Sequence, residues 1–361
     1  MRLFSSLSIV RLGALALLLS AARTGQAQTI TTFDAPNAVG TFPQAVSAFG
    51  ITVGFYQDSS GVSHGFTRSP QGMITSFDVP GSGTFPLALN RRGQITGSVF
   101  SERLGVPVSR GFLREADGRV TEFDASADAL VTRPEAINAQ GWVAGTYMES
   151  GAQHGFLRLG DGTIASYDVP GLIGAINEVG PRGELVGWYL EPHGLQHGFA
   201  REPNGTITSF DAPDVNTSTS GIGCPRCGGT RTTAANAAGV VGYFGGASGS
   251  IRGFLRKANG TLQALDVPTA ESTLPSAINL KGDVAGQYVA GGLHNFLLPR
   301  NGALQSFDLV GALSTNVMGV DLRGDVIGYF TDANGSHGFV RSARQICERR
   351  EPSSEFADGE Q

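Results

Sequence analysis

The chain has 361 residues and a formal charge of −5, with Lys257 and Lys281 as the two lysines beside 24 arginines. A mildly acidic chain without a basic stripe is not a nucleic-acid binder. Glycine supplies 52 residues, about 14% and near twice the usual share, yet follows no every-third-residue period, so a collagen triple helix is excluded.

The N-terminus reads as a secretory signal peptide over residues 1–27. Arg2 and Arg11 are positive, Leu12 to Ala21 is apolar, and Gly25-Gln26-Ala27 is a small-x-small cleavage site. The apolar run is short for a bilayer span, which sets cleavage above an uncleaved anchor. No later stretch could cross a membrane as a helix, so the mature chain is expected to be secreted, extracellular or periplasmic. Removing residues 1–27 takes Arg2, Arg11 and Arg23 and no acid, moving the charge three units, to −8.

A lone strand, Ile30 to Phe33, follows and ends in Phe33-Asp34. The aromatic-Asp pair then recurs at Phe77-Asp78, Phe123-Asp124, Tyr167-Asp168, Phe210-Asp211, Leu265-Asp266 (Leu replacing the aromatic) and Phe307-Asp308. The steps are 44, 46, 44, 43, 55 and 42 residues. A period of roughly 40–45 residues suits a four-stranded propeller blade. It overrules the two-domain count that length alone suggests.

Each unit holds four expected strands. The first ends in Ala-Leu/Ile-Asn, as at Asn90, Asn138, Asn177 and Asn279, with Gly93, Gly141 and Gly282 closing an Asn-x-x-Gly turn. The second carries a mid-strand glycine (Gly54, Gly97, Gly145, Gly187, Gly242, Gly286, Gly328), which marks a bulge or a close approach. The third reads His-Gly-Phe-x-Arg, with Arg110 and Arg252 replacing the histidine and Asn295 the glycine. Asn/Asp-Gly then predicts a type I′ hairpin into the fourth strand. The last unit stops after its third strand, at Arg341. The expected fold is therefore all-β: a seven-bladed β-propeller, four antiparallel strands per blade, with residues 30–34 completing the last blade and protecting the sheet edges. An open array or solenoid is the alternative. The single domain spans 28–341, and the polar tail 342–361 reads as disordered.

These repeats resemble the HAF repeat of bacterial exported proteins, whose His-Ala-Phe-like core is written here as His-Gly-Phe. The resemblance covers nearly all of residues 30–341. It implies an extracellular propeller-like protein and carries no assigned activity.

The repeated polar residues read as structural. The aspartates are expected to accept backbone N–H bonds at the turn to the next unit. His64, His154, His197, His294 and His337 sit one per unit, too dispersed to share a metal, and are expected to pair with a carboxylate or carbonyl. Arg68, Arg114, Arg158, Arg201, Arg256 and Arg341 are expected to meet aspartates. No metal or cofactor site is predicted. Cys224-Pro-Arg-Cys227 explains the 55-residue step. In an exported chain it reads first as a local disulfide, with a redox pair or a zinc site on borrowed ligands as alternatives. Asn204, Asn259 and Asn334 match a glycosylation acceptor pattern but read as turns.

Antiparallel order brings the loops after strands two and four to one face. Binding residues concentrate on such loops, and Asp58, Glu102, Glu149 and Glu191, with Trp188 and Tyr189, form the candidate ligand face. The function read from the sequence is a non-enzymatic exported binding module for a carbohydrate or protein. The alternative is a propeller glycosidase or lyase, which needs carboxylates from different units to converge at the channel.

Overall fold

The computed structural model describes residues 29–213, 215, 228–246 and 249–343. Residues 1–28, where a signal peptide is expected, the three cysteines and residues 344–361 lie outside the described residues. The described chain is all strand, turn and loop. After β1 (Thr29–Phe33) the strands pair in fours. The first group is β2 (Gly40–Val46), β3 (Thr52–Gln57), β4 (Ser63–Arg68) and β5 (Ile74–Phe77). The second is β6 (Gly83–Leu89), β7 (Ile95–Arg103), β8 (Val106–Arg114) and β9 (Val120–Phe123), and the third is β10 (Val131–Ile137), β11 (Val143–Glu149), β12 (Ala152–Arg158) and β13 (Ile164–Tyr167). The fourth holds β14 (Leu172–Val179), β15 (Leu185–Leu190), β16 (Gln196–Arg201) and β17 (Ile207–Phe210); the fifth holds β18 (Thr230–Asn236), β19 (Gly239–Gly245), β20 (Ile251–Arg256) and β21 (Leu262–Ala264). The sixth is β22 (Ser272–Ile278), β23 (Val284–Val289), β24 (Leu293–Leu298) and β25 (Gln305–Phe307). The last three strands, β26 (Ser314–Val320), β27 (Val326–Thr331) and β28 (Ser336–Ser342), take β1 as their fourth, with Thr29 opposite Ser342 and Phe33 opposite Gly338. Pairing within every group is antiparallel. Single parallel pairs, Gly40–Ser336 and Val131–Ser109, touch neighbouring groups together.

The repeated residues explain one another. The strand-two glycines stand where strand one bulges. A Cβ on Gly54 would lie 2.2 Å from the Phe42 carbonyl oxygen, and one on Gly145 2.0 Å from that of Arg133. The register slips beside those contacts, between Pro43 and Ala45 and between Pro134 and Ala136. Both roles expected of that glycine, bulge and close approach, are therefore one feature. In the third strand, the glycine of His-Gly-Phe lies under the strand-four aromatic. A Cβ on Gly65 would meet the Phe77 ring at 2.7 Å, and one on Gly338 the Phe33 ring at 2.4 Å. The phenylalanine beside it is fully buried in every group, from Phe66 and Phe112 to Phe339. Each such ring contributes on the order of 1.5–3 kcal/mol of burial.

The arginines do not seek aspartates, and that expectation is corrected. Each lies over the strand-four aromatic of the preceding group. Arg68 Cζ sits 4.6 Å from the Phe33 ring centre, Arg114 4.7 Å from Phe77, Arg158 5.1 Å from Phe123, Arg201 5.0 Å from Tyr167, Arg256 4.6 Å from Phe210 and Arg341 5.6 Å from Phe307. These are cation–π contacts made where the groups meet and water is largely excluded. The one aromatic that the sequence lacks, at Leu265, and the one arginine that it lacks, at Leu298, belong to the same junction and join the same hydrophobic cluster. Both halves of the contact changed together.

Two turn assignments are revised. The Asn/Asp-Gly loops are not type I′, because among their residues only the glycine (Gly72, Gly118, Gly162, Gly205, Gly260) has positive φ. Gly118 N–H donates to the Glu115 carbonyl and Glu115 N–H to that of Arg119. That is a type I turn closed by a left-handed glycine, which also matches the strand twist. Positive φ at both central residues occurs instead at Leu104-Gly105 and Ser150-Gly151, between strands two and three. In the fourth group, strand one runs to Val179 with two bulges, and Gly180 takes the turn position that Asn138 holds in the third. Asn177 is therefore a bulged residue and not the turn asparagine.

The true turn asparagines work in two directions. Asn138 Oδ1 accepts the N–H groups of Gln140 and Trp142, and its Nδ2 donates to the Gly180 carbonyl of the next group, 2.9 Å away. Asn90, Asn236 and Asn279 repeat that inter-group bond to the carbonyls of Asn138, Ile278 and Asp321.

The Leu265–Leu298 junction supplies a direct test. Leu298→Arg alone places a guanidinium against leucine and is expected to cost about 1–3 kcal/mol. Adding Leu265→Phe should restore about 0.5–2 kcal/mol of that loss, read as the coupling energy of a double-mutant cycle in denaturant unfolding.

Candidate functional site

The strand-three histidines and strand-four aspartates lie 14 residues apart, except His337 and Asp34, which are 303 apart, and face each other across the outer pair of strands. Nδ1 of His64, His154, His197, His294 and His337 lies 2.8, 2.7, 2.9, 2.8 and 2.9 Å from a carboxylate oxygen of Asp78, Asp168, Asp211, Asp308 and Asp34. Arg110 and Arg252 bind Asp124 and Asp266 in the same way. The expected pairing of the histidines holds. The aspartates are corrected: they bind side chains on strand three, with Gly253 N–H on Asp266 an added backbone bond, in place of the inter-unit turn. Three histidines face a second carboxylate from the preceding loop, at 3.4 Å from Asp58, 3.3 Å from Glu191 and 3.4 Å from Asp332. Among the described residues no group of three or more His, Cys, Asp or Glu is arranged to hold a metal ion.

The predicted ligand-face residues separate under this geometry. Asp58 accepts hydrogen bonds from Ser60 and Val62 and closes its own loop, and Glu191 stands against His197. Glu149 accepts the Ser126 hydroxyl at 3.0 Å. Glu102 is exposed on the β7–β8 hairpin. Tyr189 is not a surface residue: it is 3% exposed, with its ring against His197 and its hydroxyl bonded to Ser209. Trp188 alone joins a larger arrangement. Arg231 Cζ lies 4.5 Å from the Trp188 ring centre and 5.7 Å from that of Tyr243.

That arrangement continues elsewhere at the same register. Tyr329 meets Phe42 edge-on at 5.5 Å, Phe42 stacks on Phe55 at 4.9 Å, Phe55 meets Phe85 at 5.1 Å, and Phe85 contacts Phe100 at 4.8 Å. Phe42, Phe85 and Arg231 lie early in strand one; Phe55, Trp188, Tyr243 and Tyr329 lie late in strand two. All therefore belong to the end of the fold that carries the loops after strands two and four. Phe100 is half exposed, and the others are partly buried. Sequence reasoning missed this series because its members occupy an unrepeated position: Phe42 and Phe85 have Arg133 and Arg231 as counterparts. A position that varies inside a strict repeat was the available signal.

The other end of the strand-one array surrounds an open cavity of about 680 Å³, lined by residues from every group. Its walls are mostly Ala, Leu, Val and Ile, with the turn asparagines at its rim. Two glutamates stand among its lining residues. Glu135 is the bulged residue of β10. Its Oε2 accepts the Ile176 N–H of the next group at 2.7 Å, with Arg133 3.3 Å from Oε1. Burial pushes its carboxyl up to about 7, against the pull of Arg133 and of that N–H. Glu135 thus ties two strands together. Glu178 differs: among the described residues its carboxyl has no hydrogen-bond donor and no ion-pair partner. Burial, and then the nearby charge of Glu184, push it up to about 7. Glu178 holds the register of Ala136, and the misplaced Asn177 turn concealed it in the sequence.

No family model matches the chain, and no curated relative does. Solved structures do resemble it. A streptogramin B lyase is 16% identical, with 87% of this chain and 97% of that one covered and a TM-score of 0.55. Virginiamycin B lyase from Staphylococcus aureus is 14% identical, with 87% and 99% covered and a TM-score of 0.53. Acylaminoacyl peptidase from Pyrococcus horikoshii is 7% identical, with 82% of this chain and 52% of that one covered and a TM-score of 0.53. At such identities the likeness is one of fold: the protein is all-β and propeller-like.

The titrating groups give stability a definite pH dependence. His294 is raised by its hydrogen bond to Asp308. Burial pulls His64 and His337 down, but the bonds and charges of their two aspartates outweigh it, and both end raised. A raised group stabilises the fold fully below its unfolded value and loses that contribution as pH passes its folded value. For the histidines the loss begins near pH ~6.5; for Glu135 and Glu178 it begins near ~4.5 and extends to about 7. The melting temperature is expected to fall from pH 5.5 to pH 8.5. His64→Asn and Glu178→Gln should each flatten the curve in thermal scans across that range.

Proposed function

We propose that the chain is an exported, non-enzymatic binding module of the HAF-repeat type, a seven-bladed propeller closed by β1, that takes a carbohydrate on the face carrying the loops after strands two and four. The observation that carries this reading is the half-buried aromatic series, Tyr329–Phe42–Phe55–Phe85–Phe100 with Trp188–Arg231–Tyr243, set where the repeat varies. Apolar sugar faces and aromatic rings pack together, and arginine and carboxylate groups at the margin hydrogen-bond hydroxyls. Export rests on the leader read at residues 1–27. Seven-fold closure is supported by the β1–β28 pairing, by His337 on Asp34, and by Arg68 of the first group lying over Phe33.

The glycosidase reading has less support. It asks for a pair of carboxylates at one site, and Glu135 is committed to Ile176 N–H, leaving Glu178 without a matching partner among the described residues.

Glycan and peptide arrays probed with the secreted protein test the binding reading. Glycan signals that fall about tenfold or more in Trp188→Ala and Phe42→Ala are expected. Silence on the glycan array, or signals on the peptide array alone, would overturn the carbohydrate assignment. Closure has its own test. Deleting residues 29–34 removes the fourth strand of the last group, and a melting temperature lowered by roughly 5–15 °C is expected; an unchanged one would favour an open array.

A further inference from the structure

The cavity at the turn end of the strand-one array invites a separate reading, independent of the aromatic face. In most junctions, strand one presents a small residue to a branched residue of the next group. Ala45 shares a cluster with Leu89, Ala136 with Val179, Ala234 with Ile278, and Ala277 with Val320. Gly319 is tighter still, since a Cβ there would lie 2.7 Å from Val46 Cγ1. At the junction of the fourth and fifth groups both sizes are reversed. Glu178 holds the small position, paired in register with Val186 as Ala136 is with Ala144. Ala235, paired with Val240, stands where the others carry Val, Leu or Ile. The reversal leaves space and puts a carboxyl in it.

The surroundings do not neutralise that carboxyl. Arg182, the nearest base on the adjoining turn, is held by Glu184, with Nε 2.6 Å from Oε1. The facing strand β18 contributes Thr233, Ala234, Ala235 and Asn236, none of them charged. The Asn236 and Asn177 amides donate to the Ile278 and Thr233 carbonyls. Glu135 is bonded to Ile176 N–H in the preceding seam, and Arg91, two groups away, is the one basic residue among the described residues of the cavity wall. A carboxyl without partners among the described residues, in a space of about 680 Å³ walled mainly by Ala, Leu, Val and Ile, is complementary to a compact cation with an apolar body.

We propose that this cavity is a second ligand site, for a small organic ammonium ion, with Glu178 as its counter-ion and Ala235 as the residue that makes room for it. Binding replaces the proton that Glu178 carries in the unliganded protein at mildly acidic pH, so uptake of the cation releases about one proton per site. Affinity then climbs about tenfold per pH unit below the carboxyl's pKa and levels above it.

Calorimetry on the full mature protein with butylammonium, and with butanol as the uncharged control, tests this. Saturable ammonium binding is expected, rising about tenfold from pH 5.5 to pH 6.5, with a heat that varies with the ionisation enthalpy of the buffer. Glu178→Ala restores the residue common to the other groups and so should fold; it is expected to weaken ammonium binding at least tenfold while leaving butanol unchanged. Ala235→Ile, which restores the usual bulk but keeps the carboxyl, should also abolish binding. Ammonium binding indifferent to both substitutions, equal binding of butanol and butylammonium, or no saturable binding of the cation would overturn the proposal. None of those results bears on the glycan arrays, which read the opposite face through Phe42 and Trp188.

Discussion

The structure depends on one interaction, repeated where groups meet except after the fifth, which has Leu265 and Leu298, and the sixth, where Asn295 replaces the glycine: the strand-four aromatic held between a glycine and an arginine. The ring can lie flat only because strand three offers Gly65, Gly155 or Gly338 beneath it, where any side chain would collide. Its other face receives the arginine of the following group. Two sheets are thereby locked face to face through a contact that is apolar in the middle and charged at the margin. The arginine gains from low local dielectric, and its long stem covers apolar surface. The His–Asp pair, one residue along each strand, ties strand four to strand three, so the ring cannot swing away without breaking it.

The strand-one end is secured differently. The turn asparagine spends its acceptor on its own turn and its donors on the next group's carbonyl. The bulge opposite the strand-two glycine turns one residue per group out of register. In successive groups Glu135, Asn177 and Thr233 use that freedom to bond to Ile176, Thr233 and Pro275 of the next strand one. Glu135 is thus explained by packing, and the same accounting isolates Glu178 as the carboxyl that structure alone does not use.

Legibility in the sequence followed repetition. Phe-Asp, His-Gly-Phe and the strand-two glycine recur because each meets the same kind of neighbour in most groups, so period, strand count and strand order could be read from spacing. The histidine pairing was readable because a polar residue repeated in every unit needs a repeated partner. The arginine's partner was not readable: it lies in the preceding group, and a charge is expected to find a charge, whereas here the guanidinium lies over a ring. The type I turns were missed because Asn-Gly suits two loop lengths, and strand twist across the hairpin selects between them.

The candidate sites are the reverse case. Phe42, Phe85 and Arg231 occupy a varying position, and Glu178 was hidden by an Asn that imitates the turn residue three places too early. The sequence by itself determined the repeat, its four strands, its all-β class and the residues that recur from unit to unit. Only the tertiary structure decided what faces what: which ring each arginine covers, where Tyr189 is buried, and which carboxyl is left unpaired in a cavity. The reason is physical. Local spacing dictates strand and turn within one group, but contacts between groups join residues about forty or more positions apart, and sequence order does not encode their register until the sheets have packed.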